Sequence, residues 1–341
     1  MALIPKNSNS IVKFKEYVLR ANHAVIIPHE NPDGDAIGSA LAMYHLFISL
    51  EKKAEVVCPN DFPAFLKWMP GNDSIVIASK EKQKAKALIS EADLIICVDF
   101  NDITRMAVIQ PMIKKAGADV ILIDHHPGPV AFYNLLIHST QSSSTAELIF
   151  EATEKAGFLK YANRNFAECI YVGIMTDTGS FNFNSSNSNT FRIVSKILKF
   201  GVNKDAAFDN VYNNFSASRM RLLGYALNKA LVVLPELKTA YIKLTLKDLQ
   251  DYGYQDGDTE GFVNYPLSVA GIKVSAIFIE RKTFIKVSFR SKNKFAVNQF
   301  AAEYFKGGGH INAAGGEYHG SLDEAVEFFT NKIALYTNEI F

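Results

Sequence analysis

Four short apolar runs in the first half of the chain, residues 24–28, 54–58, 94–99 and 120–124, are separated by stretches of helical periodicity. Residues 35–50, 81–90 and 103–116 place apolar side chains at the three- and four-residue spacing of a helix packed on one face. Few folds satisfy this alternation, because a strand that follows another through a helix returns parallel to it. The expected fold class is therefore α/β, built on a parallel sheet. Ligands of such sheets lie beyond the carboxyl ends of the strands, so the residues just after each run decide what the chain can do.

Those ends are rich in Asp and His. The first run leads into His29-Glu30-Asn31-Pro32-Asp33-Gly34-Asp35, where Pro32 and Gly34 force a turn before a helix that opens near Asp35. The third ends on Asp99 and the fourth on Asp124-His125-His126, while Asp177 follows the apolar run 169–175 and precedes Thr178 and Gly179. Five carboxylates and up to three histidines are thus expected in one crevice. Like charges so close push one another's pKa up and do not stay ionised without cations. Divalent metals answer this best, and mixed carboxylate and imidazole ligands suit Mn²⁺, Fe²⁺ or Zn²⁺ over Ca²⁺. Two ions about 3.5–4 Å apart can generate hydroxide and clamp a phosphoryl group, which points to hydrolysis of a phosphate ester. His23, His45 and His138 stand alone and read as satisfied core or surface groups.

Composition narrows the setting. With 36 Lys plus Arg against 35 Asp plus Glu, the chain lacks the basic field that holds long nucleic acid, and short anionic substrates remain. No apolar run approaches the ~18 residues of a membrane span, and residues 1–15 lack a signal-peptide core, so a cytoplasmic protein without membrane attachment is expected. Cys58, Cys97 and Cys169 lack paired spacing, fit a reducing compartment, and read as small buried apolar groups.

At 341 residues the chain exceeds one comfortable core. The expected division is a catalytic domain over 1–200, a helical connector over 201–235 and a smaller α/β domain over 236–341. In the last, 239–246, 274–280 and 284–290 read as strands, and 298–305 and 322–337 as helices. Between those helices lies a glycine loop, 307–316, whose amides could approach an anion. Ser144-Thr145-Ala146-Glu147 has capping-box spacing and reads as a helix cap. Arg105 could reach a phosphate or pair with Asp102.

Together these motifs resemble the DHH superfamily of phosphoesterases, over nearly the whole chain. His29, Asp33 and Asp35 match its first motif, Asp99 the second, Asp124-His125-His126 the third and Asp177 the fourth. The resemblance implies that His29 and Asp33 bind one metal and Asp35, His125 and Asp177 the other, with Asp99 bridging. It further implies that His126 contacts the scissile phosphate and Asp124 supports it. The string Gly307-Gly308-Gly309-His310, with Arg290-Ser291 and 261–264, resembles the DHH-associated domain, which implies substrate contacts at Arg290, Ser291, Gly307, Gly308, Gly309 and His310.

Within the superfamily the closest resemblance is to the bifunctional oligoribonuclease and 3′-phosphoadenosine 5′-phosphate (pAp) phosphatase (NrnA-type) group. That implies two divalent ions, Mn²⁺ first, and short RNA, dinucleotides or pAp as substrates, with no long duplex; a homodimer stays open. A phosphodiesterase for linear or cyclic dinucleotides is the alternative. An exopolyphosphatase or pyrophosphatase ranks below it, as does a nucleotide-binding module without activity.

Overall fold

The computed structural model describes residues 8–106, 108–292 and 294–340, with the side chains of Arg105 and Asn338 excepted. The reading of Arg105 therefore lies outside the described residues. The chain divides into two units, Met1–Asn214 and Phe215–Phe341.

In the first unit, α1 (Asn9–Arg20) leads to β1 (His23–Pro28), α2 (Gly34–Ser49), β2 (Lys53–Cys58), β3 (Ile75–Ile77), α3 (Lys82–Glu91) and β4 (Leu94–Val98). Next come α4 (Gln110–Ile113), β5 (Asp119–Asp124), β6 (Leu135–His138), α5 (Thr145–Lys155), α6 (Arg164–Asp177), α7 (Ser188–Leu198) and α8 (Lys204–Tyr212). The six strands pair in the order β3-β2-β1-β4-β5-β6, all parallel. The order reverses between β1 and β4, where the chain leaves neighbouring strands in opposite lateral directions and opens a crevice at their carboxyl ends. Apolar side chains fill both faces of the sheet: Ile26, Val56 and Ile96 on one, Val25, Ile95 and Leu122 on the other.

Two features depart from expectation. Residues 103–116 do not form one helix: Asp102 caps a 3₁₀ turn at Ile103–Arg105, and only Gln110–Ile113 is α-helical. Pro111 explains the break, since it has no N–H for an interior turn and is tolerated only in the first turn of a new helix. The short strands β3 and β6 lie at the two edges, with too few residues for a readable period.

Glycine sets how closely α2 and α6 cross. A Cβ on Gly38 would lie 2.6 Å from the Cys169 carbonyl oxygen, and one on Gly173 would lie 2.6 Å from the Ala146 Cβ and 2.9 Å from Asp35 Oδ1. Only glycine permits backbones this near.

The second unit holds α9 (Ala217–Tyr225), β7 (Leu231–Leu234), β8 (Thr239–Leu244), α10 (Leu246–Asp251), β9 (Val274–Glu280), β10 (Ile285–Ser291) and α11 (Val297–Tyr304). It continues with β11 (Gly308–His310), β12 (Ala313–Tyr318) and α12 (Leu322–Ile333) and closes with the short α13 (Thr337–Ile340). Its mixed sheet runs β11-β12-β10-β9-β8-β7, with β8 and β9 parallel and the other pairs antiparallel. Phe278, Phe289, Phe300, Phe305 and Phe329 form its core. The expected glycine loop is largely a hairpin: a Cβ on Gly307 would lie 1.9 Å from the Gly315 carbonyl oxygen, so part of the glycine signal serves strand packing. The helical stretch 203–231 divides between the units, α8 with the first and α9 with the second. Among the described residues no helix is long and apolar enough to cross a membrane.

Glu154 ties α5 to α7 through Arg192, 2.8 Å away, and Lys196. Burial pushes the Glu154 carboxyl up, but the two cations outweigh it and hold it below its ordinary 4.5. A depressed carboxylate contributes stability above its unfolded-state pKa and loses it as pH falls through the folded value. Glu154→Gln should therefore cost on the order of 1 kcal/mol near neutrality. The deficit should shrink as pH falls below 4.5. Urea melts of both proteins at neutral pH and at roughly pH 3 check this.

Candidate metal centre

β1, β4 and β5 deliver their loops to the crevice at the strand-order reversal. From the first loop, Asp33 caps α2, its Oδ1 accepting from the Asp35 and Ala36 amides at 3.0 and 3.1 Å. The same oxygen stands 3.8 Å from His29 Nε2. His29 Nδ1 donates to the Glu30 carbonyl at 2.8 Å, which leaves the Nε2 lone pair toward the carboxylates.

Asp99, just past β4, has φ +68°, a left-handed conformation that a non-glycine residue adopts at a cost of about 1 kcal/mol or more. That turn sends a nearly fully buried carboxylate back over the sheet end. Its Oδ2 lies 3.6 Å from His29 Nε2 and its Oδ1 lies 3.6 Å from His125 Nε2. His125 Nε2 is also 3.9 Å from Asp35 Oδ2 and 3.7 Å from Asp177 Oδ2. Asp177 stands at the end of α6, and Asp35 in the first turn of α2.

These spacings are too long for hydrogen bonds. Ligands at about 2.1 Å from a common ion stand roughly 3.0–3.5 Å apart, close to what is seen. His29, Asp33 and Asp99 bring one ligand atom each within 4.8 Å of one another, and so do Asp35, His125 and Asp177, and Asp99, Asp124 and His126. Burial and the neighbouring Asp99, Asp177 and Asp33 push the Asp35 carboxyl well above 3.8. Asp124 Oδ2 is buried and accepts no hydrogen bond among the described residues. The donor set therefore fits divalent cations, both in atom type and in its need for positive charge.

The adjacent histidines differ. Burial pulls His125 below 6.5, which suits a neutral imidazole donating its lone pair to a metal. Burial also pulls on His126, but Asp124, whose Oδ1 accepts from His126 Nδ1 at 2.8 Å, outweighs it and raises the imidazole above 6.5. The three lone histidines are satisfied: His23 on Glu55, His45 on the Pro70 carbonyl and His138 on the His126 carbonyl.

Sequence reading undervalued the N-terminus of α5. Ser144 does cap it, accepting from the Glu147 amide at 3.1 Å, but no capping box forms, because the Glu147 side chain turns to Ser143 instead. The amides of Thr145 and Ala146 donate to Asp35 at 2.6 and 2.9 Å, and Thr145 Oγ1 donates to Asp99 Oδ1 at 2.8 Å. The anion at this helix terminus is a carboxylate of the site itself.

In the second unit, Arg290 pairs in register with Ala313, and Ala313 with His310. Directly paired residues share a face, so Arg290 and His310 flank a small side chain on the face away from Phe289. Arg290 Nη1 donates to the Phe289 carbonyl at 2.9 Å. Ser291 is occupied within the fold, donating to the Phe295 carbonyl at 2.6 Å and accepting from Asn312 at 2.8 Å. Gly309 has φ +140°, and a Cβ there would meet the Ala313 carbonyl oxygen at 2.5 Å, whereas the place of a Cβ on Gly308 is open.

Comparison with known proteins agrees with this architecture. The DHH family N-terminal domain matches residues 23–174 and the DHHA1 domain residues 237–335. A crystal structure of an exopolyphosphatase-related protein from Bacteroides fragilis is 41% identical, with a TM-score of 0.93 and 97% of each chain covered. The chain belongs to the DHH family of phosphoesterases. Among curated DHH relatives, the bifunctional oligoribonuclease and PAP phosphatase NrnA of Thermus thermophilus is 28% identical, covering 89% of this chain and 86% of that protein. Its namesake in Bacillus subtilis is 26% identical, covering 87% and 89%.

Partners that orient ligands in this way are worth about 10–100-fold in metal affinity. Thr145→Val keeps shape and the amide but removes the hydroxyl that holds Asp99, so Mn²⁺ affinity should fall within that range while the melting temperature in EDTA hardly moves. Calorimetric titration of both proteins measures it.

Proposed function

We propose that this DHH phosphoesterase is a two-metal enzyme that hydrolyses short oligoribonucleotides, dinucleotides and pAp. The observation that carries the reading is Asp99, which sets one oxygen 3.6 Å from His29 Nε2 and the other 3.6 Å from His125 Nε2. A carboxylate so placed is suited to bridge two ions. His29 and Asp33 would complete one position, and Asp35, His125 and Asp177 the other. When bound, two divalent ions, Mn²⁺ first, would supply Lewis acidity and lower the pKa of water.

The remaining chemistry falls to the chain. Asp124 orients His126 and raises its imidazole above 6.5, so the protonated ring can donate to a phosphate oxygen as negative charge develops there. Thr145 and Ala146 keep Asp35 and Asp99 in place without offering further charge. The names of the curated relatives favour short RNA and pAp as substrates. Arg290, Ser291, Gly307, Gly308, Gly309 and His310 are the proposed substrate contacts of the second unit, with Arg290 and His310 foremost because they share a face. The cysteines Cys58, Cys97 and Cys169 are free and buried, which favours the reducing cytoplasm as the place of action.

A panel of pAp, dinucleotides, short RNA, cyclic dinucleotides and polyphosphate with Mn²⁺ tests the proposal. Turnover should be highest on pAp and the linear dinucleotides; preference for polyphosphate would overturn the substrate assignment. Asp99→Ala should abolish turnover and lower metal content at both positions by elemental analysis, and retained activity would overturn the bridging role.

Arg290 can give two parallel hydrogen bonds to a phosphate, which lysine cannot copy. Arg290→Lys should therefore raise KM for pAp and dinucleotides more than it lowers kcat, and leave hydrolysis of a generic phosphodiester unchanged. Equal slowing of all substrates would assign Arg290 to the fold or the chemistry instead.

A further inference from the structure

Glu147 has no place in the ligand set, yet it is fully buried in the first turn of α5. Its carboxyl accepts four hydrogen bonds. Oε2 takes the Ser143 amide at 3.0 Å, the Ser143 hydroxyl at 2.6 Å and the Thr190 hydroxyl at 3.0 Å, while Oε1 takes Asn189 Nδ2 at 2.8 Å. An apolar side chain would fill this place without the desolvation penalty of a buried carboxyl, so packing alone does not account for it.

The Ser143 amide belongs to the same peptide unit as the Ser142 carbonyl, which accepts from His125 Nδ1 at 3.3 Å. One peptide group thus stands between the Glu147 carboxyl and the His125 imidazole. A carboxyl on the N–H side polarises the amide and makes its carbonyl a stronger acceptor. A stronger acceptor at Nδ1 fixes the tautomer that leaves the lone pair on Nε2, and raises its basicity. That nitrogen is the one facing Asp35, Asp99 and Asp177. The turn so anchored, residues 142–146, also carries the donors from Thr145 and Ala146 to Asp35 and Asp99.

We infer that Glu147 is the positioning residue of the Asp35, His125 and Asp177 metal position, acting on His125 through the Ser142–Ser143 peptide and on Asp35 through the turn that follows it. The inference rests on the two-metal reading above. It bears chiefly on one position, because His29 takes its orientation from the Glu30 carbonyl and Asp33 from the α2 amides, neither of which Glu147 touches, and only the shared Asp99 links the turn to the other position.

Asn189 supplies a specific test. Its Oδ1 accepts from Arg192 Nε at 3.0 Å, which turns its NH₂ toward Glu147. Glu147→Gln therefore sets one NH₂ against another, and the added Asn189→Asp restores an acceptor between the new amide and Arg192. Mn²⁺ titrations by calorimetry should be compared for the wild type, E147Q, the E147Q/N189D double variant and E154Q as a control on the same helix, with each protein's melting temperature taken in EDTA. The wild type and E154Q should bind two ions. E147Q should bind one ion within a few-fold of the wild type and the other about 10–100-fold more weakly, and the double variant should recover most of that loss. A folded E147Q that binds both ions like the wild type overturns the inference alone. Equal weakening at both positions, with a lowered metal-free melting temperature and no recovery in the double variant, also overturns it by showing a general role in the fold. A wild type that takes up no metal overturns the two-metal reading, and the inference with it.

Discussion

Carboxylates converging on one crevice are the constraint around which the first unit is built. Asp35 and Asp99 are almost wholly buried; burial and the charges of Asp99, Asp177 and Asp33 press on Asp35, while burial presses on Asp99 and the neighbouring imidazoles outweigh it. Stability bought from the core elsewhere must cover that repulsion until cations arrive. The fold limits it by giving these oxygens donors that carry no countercharge: backbone amides at the start of α5 and a threonine hydroxyl.

The same constraint explains why the architecture is so specific at its centre. Reversal of strand order between β1 and β4 opens room for several loops at one sheet edge. The left-handed turn at Asp99 then aims its carboxylate inward, and Gly173 lets α6 come near enough to place Asp177 beside His125. A methyl group at 173 would touch both the Ala146 Cβ and an Asp35 oxygen, so helix packing and ligand geometry are settled by the same atoms.

What could be read from the chain alone follows from where information is local. Each long strand and its terminal Asp or His sits in one short stretch, so β1, β4 and β5 and the residues they deliver were legible. Edge strands β3 and β6 were not, since three or four residues show no period. Pro111 was visible, yet the apolar spacing around it still suggested one helix over 103–116. Glycines in 307–316 read as a loop because absence of side chains looks the same in a loop and in a closely packed hairpin. The parts of Thr145 and Glu147 were hidden for a different reason: a cap and a buried carboxylate look alike until partners distant in the chain, Asp35, Asp99, Asn189 and Thr190, are known.

Ligand positions in the first unit stretch from His29 to Asp177, and the strand order that unites them is non-local throughout. Loops of this length close late, after most of the sheet and the α2, α5 and α6 layer have formed. A cation that needs all of those segments has little to grip in a partly folded chain. Bound ions would then act chiefly on the native side of the folding barrier, slowing escape from the folded state while leaving the rate of reaching it nearly unchanged.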